Sequence, residues 1–235
     1  MKSNNLSLKS RILYQSTACL VVNKLKGEAV EGAKYDNMAD LPKELSIALG
    51  ANTEVIEAVH RLDVPVTGCA LFALTKSALS FLNAAFAEGS ASSSIEKIYW
   101  AVIEKPSRPL SESGELVHWI ETVSGKNKSY AHNKEGSARK KAVLRYRVAG
   151  EGRNYLFVEV QLISGRHHQI RAQFAAEGLH IKGDLKYGAK RSEKDGGIRL
   201  HARGLSFPDP LNKSGIIRVT AEPPEMDNLW AGFLK

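Results

Sequence analysis

The sequence predicts an α+β fold on a central, mostly antiparallel or mixed sheet. Three observations lead there. Short apolar segments, alternating or continuous, recur along the chain between Gly, Pro, Asn and Ser punctuation. Only three stretches carry the 3.6-residue apolar period of a helix. Those helices are interspersed among meandering strands and do not alternate with them as βαβ units would.

Taken in order, residues 11–14 and 19–24 read as two short strands with a polar turn between them, closed by Lys26-Gly27. Residues 36–58 are helical in part: Asp40 is an N-cap, Pro42 falls in the first turn, and Leu45 and Leu49 recur at helical spacing. Val64-Pro65-Val66 then breaks any helix, because Pro65 lacks an N–H and biases Val64 toward extended backbone. Thr67-Gly68 allows a tight change of direction before a strand over 69–74. From Thr75 to Phe86 a helix has Leu79, Leu82 and Phe86 on one face, Thr75 as cap and Gly89 as stop. Residues 90–94 form a small-residue loop, and 97–104 a strand. Residues 107–141 turn polar and basic, with 116–120 as their one convincing strand. Residues 141–148 and 154–163 form an antiparallel pair joined at Gly150-Glu151-Gly152, and 169–177 a helix ending at Gly178.

At 235 residues and 43% apolar content the chain can bury a sizeable core. Its formal charge of +8 and pI near 9.4 suit an anionic partner, either nucleic acid or an acidic membrane surface. No apolar run approaches the ~20 residues that span a bilayer, and the first eight residues lack a signal peptide's apolar core. Cys19 and Cys69 have no C-x-x-C spacing and sit in apolar surroundings, so they read as buried free thiols. A cytoplasmic protein is expected. Neither a phosphate-cradling glycine loop nor a dinucleotide fingerprint occurs. His167, His168, His180 and His201 match no zinc spacing, so neither metal nor organic cofactor is expected.

The motif that carries most chemistry is His60-Arg61-Leu62-Asp63, followed by Gly68. It presents a carboxylate beside a guanidinium on a turn, a setting for a nucleophile or general base. It resembles the H-R-L-D-x-x-T-S-G signature of the RluA-type pseudouridine synthases. Further blocks resemble that family in its order. They are Lys97-Ile98-Tyr99-Trp100-Ala101-Val102 (K-x-Y-x-A-V), Ser164-Gly165-Arg166-His167-His168-Gln169-Ile170-Arg171 (T-G-R-x-H-Q-I-R), Gly183 to Gly188 (G-D-x-x-Y-G) and Leu200 to Phe207 (L-H-A-x-x-L-x-F). The opening hairpin, Asn23-Lys24-Leu25-Lys26-Gly27, resembles N-K-P-x-G with Leu25 in place of Pro. Val66-Thr67 replaces Thr-Ser, and His180 stands where the family has Pro; both departures touch turn geometry and substrate choice.

The resemblance covers about residues 11–222 and implies the pseudouridine synthase fold, with a catalytic cleft across the sheet. It implies a single catalytic domain over 11–235 behind a tail over 1–10, with no separate N-terminal RNA-binding module. The implied reaction isomerises a specific uridine of ribosomal or transfer RNA: C1′–N1 is cleaved, the base rotates, and it rejoins through C5. Asp63 would be the nucleophile, Arg171 its partner, and Tyr99 the base platform and proton acceptor. Arg61 would fill the gap left by the flipped base. His60, Arg166, His168 and Lys97 are carried over as RNA-contacting residues of the same motifs, with His168 holding the Arg171 segment. Asp184 and Tyr187 read as turn-formers, with Asp184 bonding its neighbours' N–H groups. Attack at C1′, attack at C6 and elimination to a glycal all stay open. The basic clusters Lys126-Asn127-Lys128, Arg139-Lys140-Lys141, Arg145, Arg147 and 186–191 are candidate phosphate contacts, about half of them used. A monomer is the default. Two rivals remain: an RNA-binding or chaperoning protein on the same fold, and a glycoside hydrolase, which would need a second carboxylate.

Overall fold

The computed structural model describes residues 7–33, 38–50, 53–87, 95–194, 196–212 and 214–234. The expected stop at Gly89, the loop over 90–94, and part of the tail over 1–10 lie outside them. In chain order the strands and helices are β1 (Ile12–Gln15), β2 (Cys19–Lys24), β3 (Glu28–Ala29), β4 (Ala39–Asp40), α1 (Leu41–Leu49), β5 (Glu57–Ala58), β6 (Thr67–Ala73), α2 (Lys76–Phe86), β7 (Glu96–Glu104), β8 (Ser113–Val123), β9 (Lys128–His132), β10 (Arg139–Glu151), β11 (Tyr155–Leu162), α3 (Gln169–Ala176), β12 (Leu200–Pro208) and β13 (Ile216–Thr220). The α+β expectation holds. β3 pairs with β4 in parallel, whereas β1–β2, β2–β6, β5–β6, β12–β13, β7–β11, β11–β10, β10–β8 and β8–β9 pair antiparallel.

The chain divides into two compact units. The first, Met1–Glu96 with Ala202–Pro224, orders its strands β1-β2-β6-β12, with β13 on β12 and β5 on β6. β2 and β6 are apolar nearly without interruption because both of their faces are covered. Cys19, Val21, Leu71, Leu82 and Phe207 share one core, against which α2 lays Ala78 and Leu82. Each fully buried Leu or Phe there contributes about 1.5–3 kcal/mol. The helices start where the sequence predicts. Asp40 accepts from the Lys43 N–H at 3.1 Å and Thr75 from the Ala78 N–H at 3.1 Å. Gly68 has φ +113°, and a Cβ there would collide with the Ala202 backbone. Only glycine lets β6 approach β12 so closely.

The second unit, Lys97–His201 with Glu225–Lys235, orders its strands β7-β11-β10-β8-β9. β8 is longer than expected, and β9 is a second strand in a region predicted to hold one. For β8 the reason lies on the outward face of the sheet. There Arg145 meets Glu115 at 2.9 Å, Arg139 meets Glu121 at 3.3 Å, and Arg147 meets Glu159 at 3.0 Å across strands. Strands stitched by charged pairs do not show the apolar alternation that sequence reading looks for. On the inward face Ile120 and Ala142 pack with Ala172 of α3 and with Tyr187. Near the C-terminus Trp230 and Phe233 cover Trp100 and Phe157, with the Trp100 and Phe233 rings stacked at 4.5 Å.

Candidate active site

Asp63 belongs to the first unit and sits half-buried on the turn that the Pro65 argument predicts. Its flanks differ: Arg61 is exposed, while Leu62 and Val66 are buried and anchor the loop. Backbone bonds lock the turn. Val66 N–H donates to Asp63 O at 2.9 Å and Gly27 N–H to Val64 O at 2.8 Å. His60 Nε2 accepts the Leu71 N–H at 3.2 Å, so that nitrogen carries no proton, and the ring stacks on Phe86 at 5.5 Å. That bond makes His60 a brace between the turn and β6. The Arg61 guanidinium lies 3.6 Å from Glu31, both side chains more than half exposed. A pair this exposed is worth under about 1 kcal/mol, so it does not hold Arg61 in place.

Beneath the turn lies a residue the sequence reading passed over. Lys24, opposite Gly68 in the β2–β6 register, is fully buried. Its ammonium donates to Leu25 O at 2.9 Å, Val64 O at 3.1 Å and Val66 O at 2.6 Å. All three of its hydrogens are thereby used, two of them on the segment that follows Asp63. Burial pulls the Lys24 pKa down to about 7; the Glu28 and Asp63 carboxylates act against this and Arg11 with it. The signal was present in N-K-L-K-G, where a lysine stands in an apolar strand.

The second unit holds the other expected residues. Arg171 lies in α3, buried, and grips Asp184 with two bonds: Nε to Oδ2 at 2.7 Å and Nη2 to Oδ1 at 2.9 Å. This corrects the reading of Asp184 as a former of local turn bonds. Its carboxylate is spent on Arg171, and no side-chain cap closes the short 3-10 turn Leu185–Tyr187. Arg171 also lies over the Tyr187 ring, 4.8 Å from its centroid. The Tyr187 phenol accepts the Ser129 N–H at 2.9 Å and donates to Ser129 O at 3.1 Å. With its one proton committed to that carbonyl, His168 Nδ1, 2.9 Å away, is the donor to the phenol. His168 thus steadies the Arg171 segment at a left-handed φ of +52°, a region that few non-glycine residues adopt and where His is enriched with Asn and Asp.

Tyr99 is buried in β7 opposite Val160. Lys97, two residues earlier, brings Nζ against Gly165, and burial lowers its pKa. Burial likewise lowers that of Arg166, whose Nε donates to Lys141 O at 2.9 Å. The Arg166 N–H and the Ser164 hydroxyl both donate to Gln169 Oε1, which fixes the loop entering α3. Among the described residues no three His, Cys, Asp or Glu side chains cluster as metal ligands. No described helix is long and apolar enough to cross a membrane.

The motifs line up with known proteins. A family model described as RNA pseudouridylate synthase matches residues 18–176, a span that contains Asp63, Tyr99 and Arg171. The chain belongs to that family. Its relatives include the ribosomal large subunit pseudouridine synthase C of Vibrio parahaemolyticus, 28% identical over 217 residues. That match covers 87% of this chain and 63% of the relative, so the chain spans less than two thirds of that protein. An uncharacterized RNA pseudouridine synthase of Zymomonas mobilis is 26% identical, with 92% of this chain and 94% of the relative covered. The human RNA pseudouridylate synthase domain containing 4 shares the fold at a TM-score of 0.71 and 23% identity, covering 92% of this chain and 90% of that one.

Asp184, part of the G-D-x-x-Y-G block, is thus the counter-ion of Arg171. Asp184→Asn keeps the shape but leaves the buried Arg171 charge without its anion, a change that costs about 3 kcal/mol. We expect a lowered denaturant midpoint with an unchanged m-value, read by urea titration.

Proposed function

We propose that this chain isomerises a specific uridine in ribosomal or transfer RNA, with both units acting as parts of one catalytic domain. The reading rests on one observation: the family match spans the Asp63 turn, Tyr99 and Arg171 together. Asp63 is the nucleophile, and Arg171 is the guanidinium that accompanies its carboxylate in the reaction. Tyr99 supports the base and takes up the C5 proton. Arg61, exposed and weakly paired, enters the stack as the uridine flips out, against an unstacking cost of a few kcal/mol. The atoms balance without a co-reactant: C1′–N1 breaks, C1′–C5 forms, C5 loses a proton and N1 gains one. The protein acts in the cytoplasm as a monomer.

The test maps pseudouridine in total RNA, by carbodiimide adducts and primer extension, from cells with and without the gene. We expect one or a few sites to vanish and to return with the wild-type gene. An unchanged map in both ribosomal and transfer RNA would sink the reading in favour of a non-catalytic RNA-binding protein.

A further inference from the structure

We propose that Lys126, Lys128 and Lys186 form one cationic rim that grips the phosphate backbone of the substrate RNA beside the reacting uridine. This rests on the RNA-modifying reading above and says which of the basic clusters the RNA meets.

The two basic runs lie far apart in sequence, yet the fold joins them. Lys186 Nζ donates to Asn127 O at 3.0 Å, across 59 residues. Tyr187 fixes the junction, since its phenol engages both backbone groups of Ser129. Lys128 Nζ lies 5.1 Å from the Tyr187 ring centroid and 5.3 Å from that of Tyr130. Arg171 sits over the same Tyr187 ring, so one aromatic side chain separates the rim from the guanidinium assigned to Asp63. Lys126 and Lys186 are exposed and Lys128 half-buried. Tyr130 adds a ring face, 39% exposed, on which a base can stack.

Charge accounting separates this rim from the arginines of β10. Arg139, Arg145 and Arg147 of β10 are each paired with a glutamate on a neighbouring strand. Among the described residues none of Lys126, Lys128 and Lys186 has a carboxylate partner. Their interactions are a backbone carbonyl for Lys186 and aromatic rings for Lys128. Cations converging without anions repel one another unless a polyanion arrives between them. A chain of phosphates is that polyanion.

The experiment measures binding of unmodified ribosomal and transfer RNA transcripts by fluorescence anisotropy across a KCl series, and conversion of the same transcripts. Each phosphate contact contributes about 0.7–0.9 to the slope of log K against log salt. The triple variant Lys126→Gln/Lys128→Gln/Lys186→Gln should therefore lose about 2 from that slope. It should raise KM and leave kcat within about twofold, since phosphate grip outside the reacting centre is uniform binding. Arg145→Gln/Arg147→Gln should change the slope by less than half as much. Because Lys128 packs on Tyr187, the exposed pair Lys126→Gln/Lys186→Gln serves as a second variant, with a loss of about 1.4 expected. An unchanged slope in both rim variants overturns the proposal, as does an equal loss in the β10 variant. If wild-type protein still converts the transcripts, that failure belongs to the rim alone. If wild type neither binds nor converts any transcript, the proposed function fails with it.

Discussion

If Asp63 is the nucleophile proposed above, Asp63→Asn should slow conversion by about 10⁴-fold or more, the scale on which losing a nucleophile abolishes covalent catalysis. Asn keeps the size and planarity of the side chain and removes only its charge and nucleophilicity. The backbone anchors of the turn survive the change: Asp63 O still accepts from Val66, Val64 O from Gly27, and Lys24 still reaches Val64 and Val66. RNA affinity should therefore stay within a few-fold of wild type. Single-turnover release of tritium from C5-labelled uridine reads the chemistry, and anisotropy reads the binding. Conversion above a per cent of wild type would remove Asp63 from its role.

Lys24 carries the second large effect, and there stability and activity run in opposite directions. An unfolded lysine titrates near 10.4, whereas Lys24 in the fold titrates at about 7. Between those values the unfolded chain binds the extra proton, so stability rises with pH, by about 1.4 kcal/mol per unit at most. The clamp on the Asp63 turn behaves the other way. Above about pH 7 the amine loses one of the three hydrogens that hold Leu25, Val64 and Val66. We expect kcat to fall through an alkaline limb centred near 7 while Tm climbs over the same range. Lys24→Met keeps the bulk without the charge; it should lower kcat by about 10²-fold, the cost of a catalytic group misplaced by an ångström, and abolish the limb. Lys24→Ala should also cost about 3–5 kcal/mol in stability, because three buried carbonyls lose their donor around a new void. Identical kcat profiles for wild type and Lys24→Met would exclude the clamp.

Much of the fold was legible because the elements that matter obey local rules. Asp40 and Thr75 cap their helices through the bonds their side chains predict, and Pro65 forces the turn that carries Asp63. The misses share a cause. In β8 the outward-facing Glu115 and Glu121 find their partners on β10, and in β9 Lys128 lies over aromatic rings, so neither segment announces itself. In α3 the buried positions include Gln169, Arg171 and Gln173. Their polarity is satisfied by residues as distant as Leu116, which accepts from Gln173 at 3.0 Å, and Asp184. Asp184 was read from its neighbours in sequence, but its partner lies 13 residues back. Lys24 likewise answers to carbonyls 40 and 42 residues away.

The strand order of the first unit has a bearing on how the protein is made. β6, which follows the Asp63 turn directly, has β2 on one side and β12 on the other. The first neighbour precedes it in the chain, but the second emerges from the ribosome well over a hundred residues later, after nearly all of the second unit. Until then β5 covers that edge of β6 only at Phe72 and Ala73, and the rest of this apolar strand over Thr67–Ala73 is left open, the kind of edge that recruits other chains. Contacts of such sequence separation also slow folding. Synthesis stalled or truncated before residue 202 would yield a chain with the Asp63 turn present and part of one edge of the strand beside it unpaired. Such fragments should need a chaperone, or aggregate, while the 235-residue chain does not.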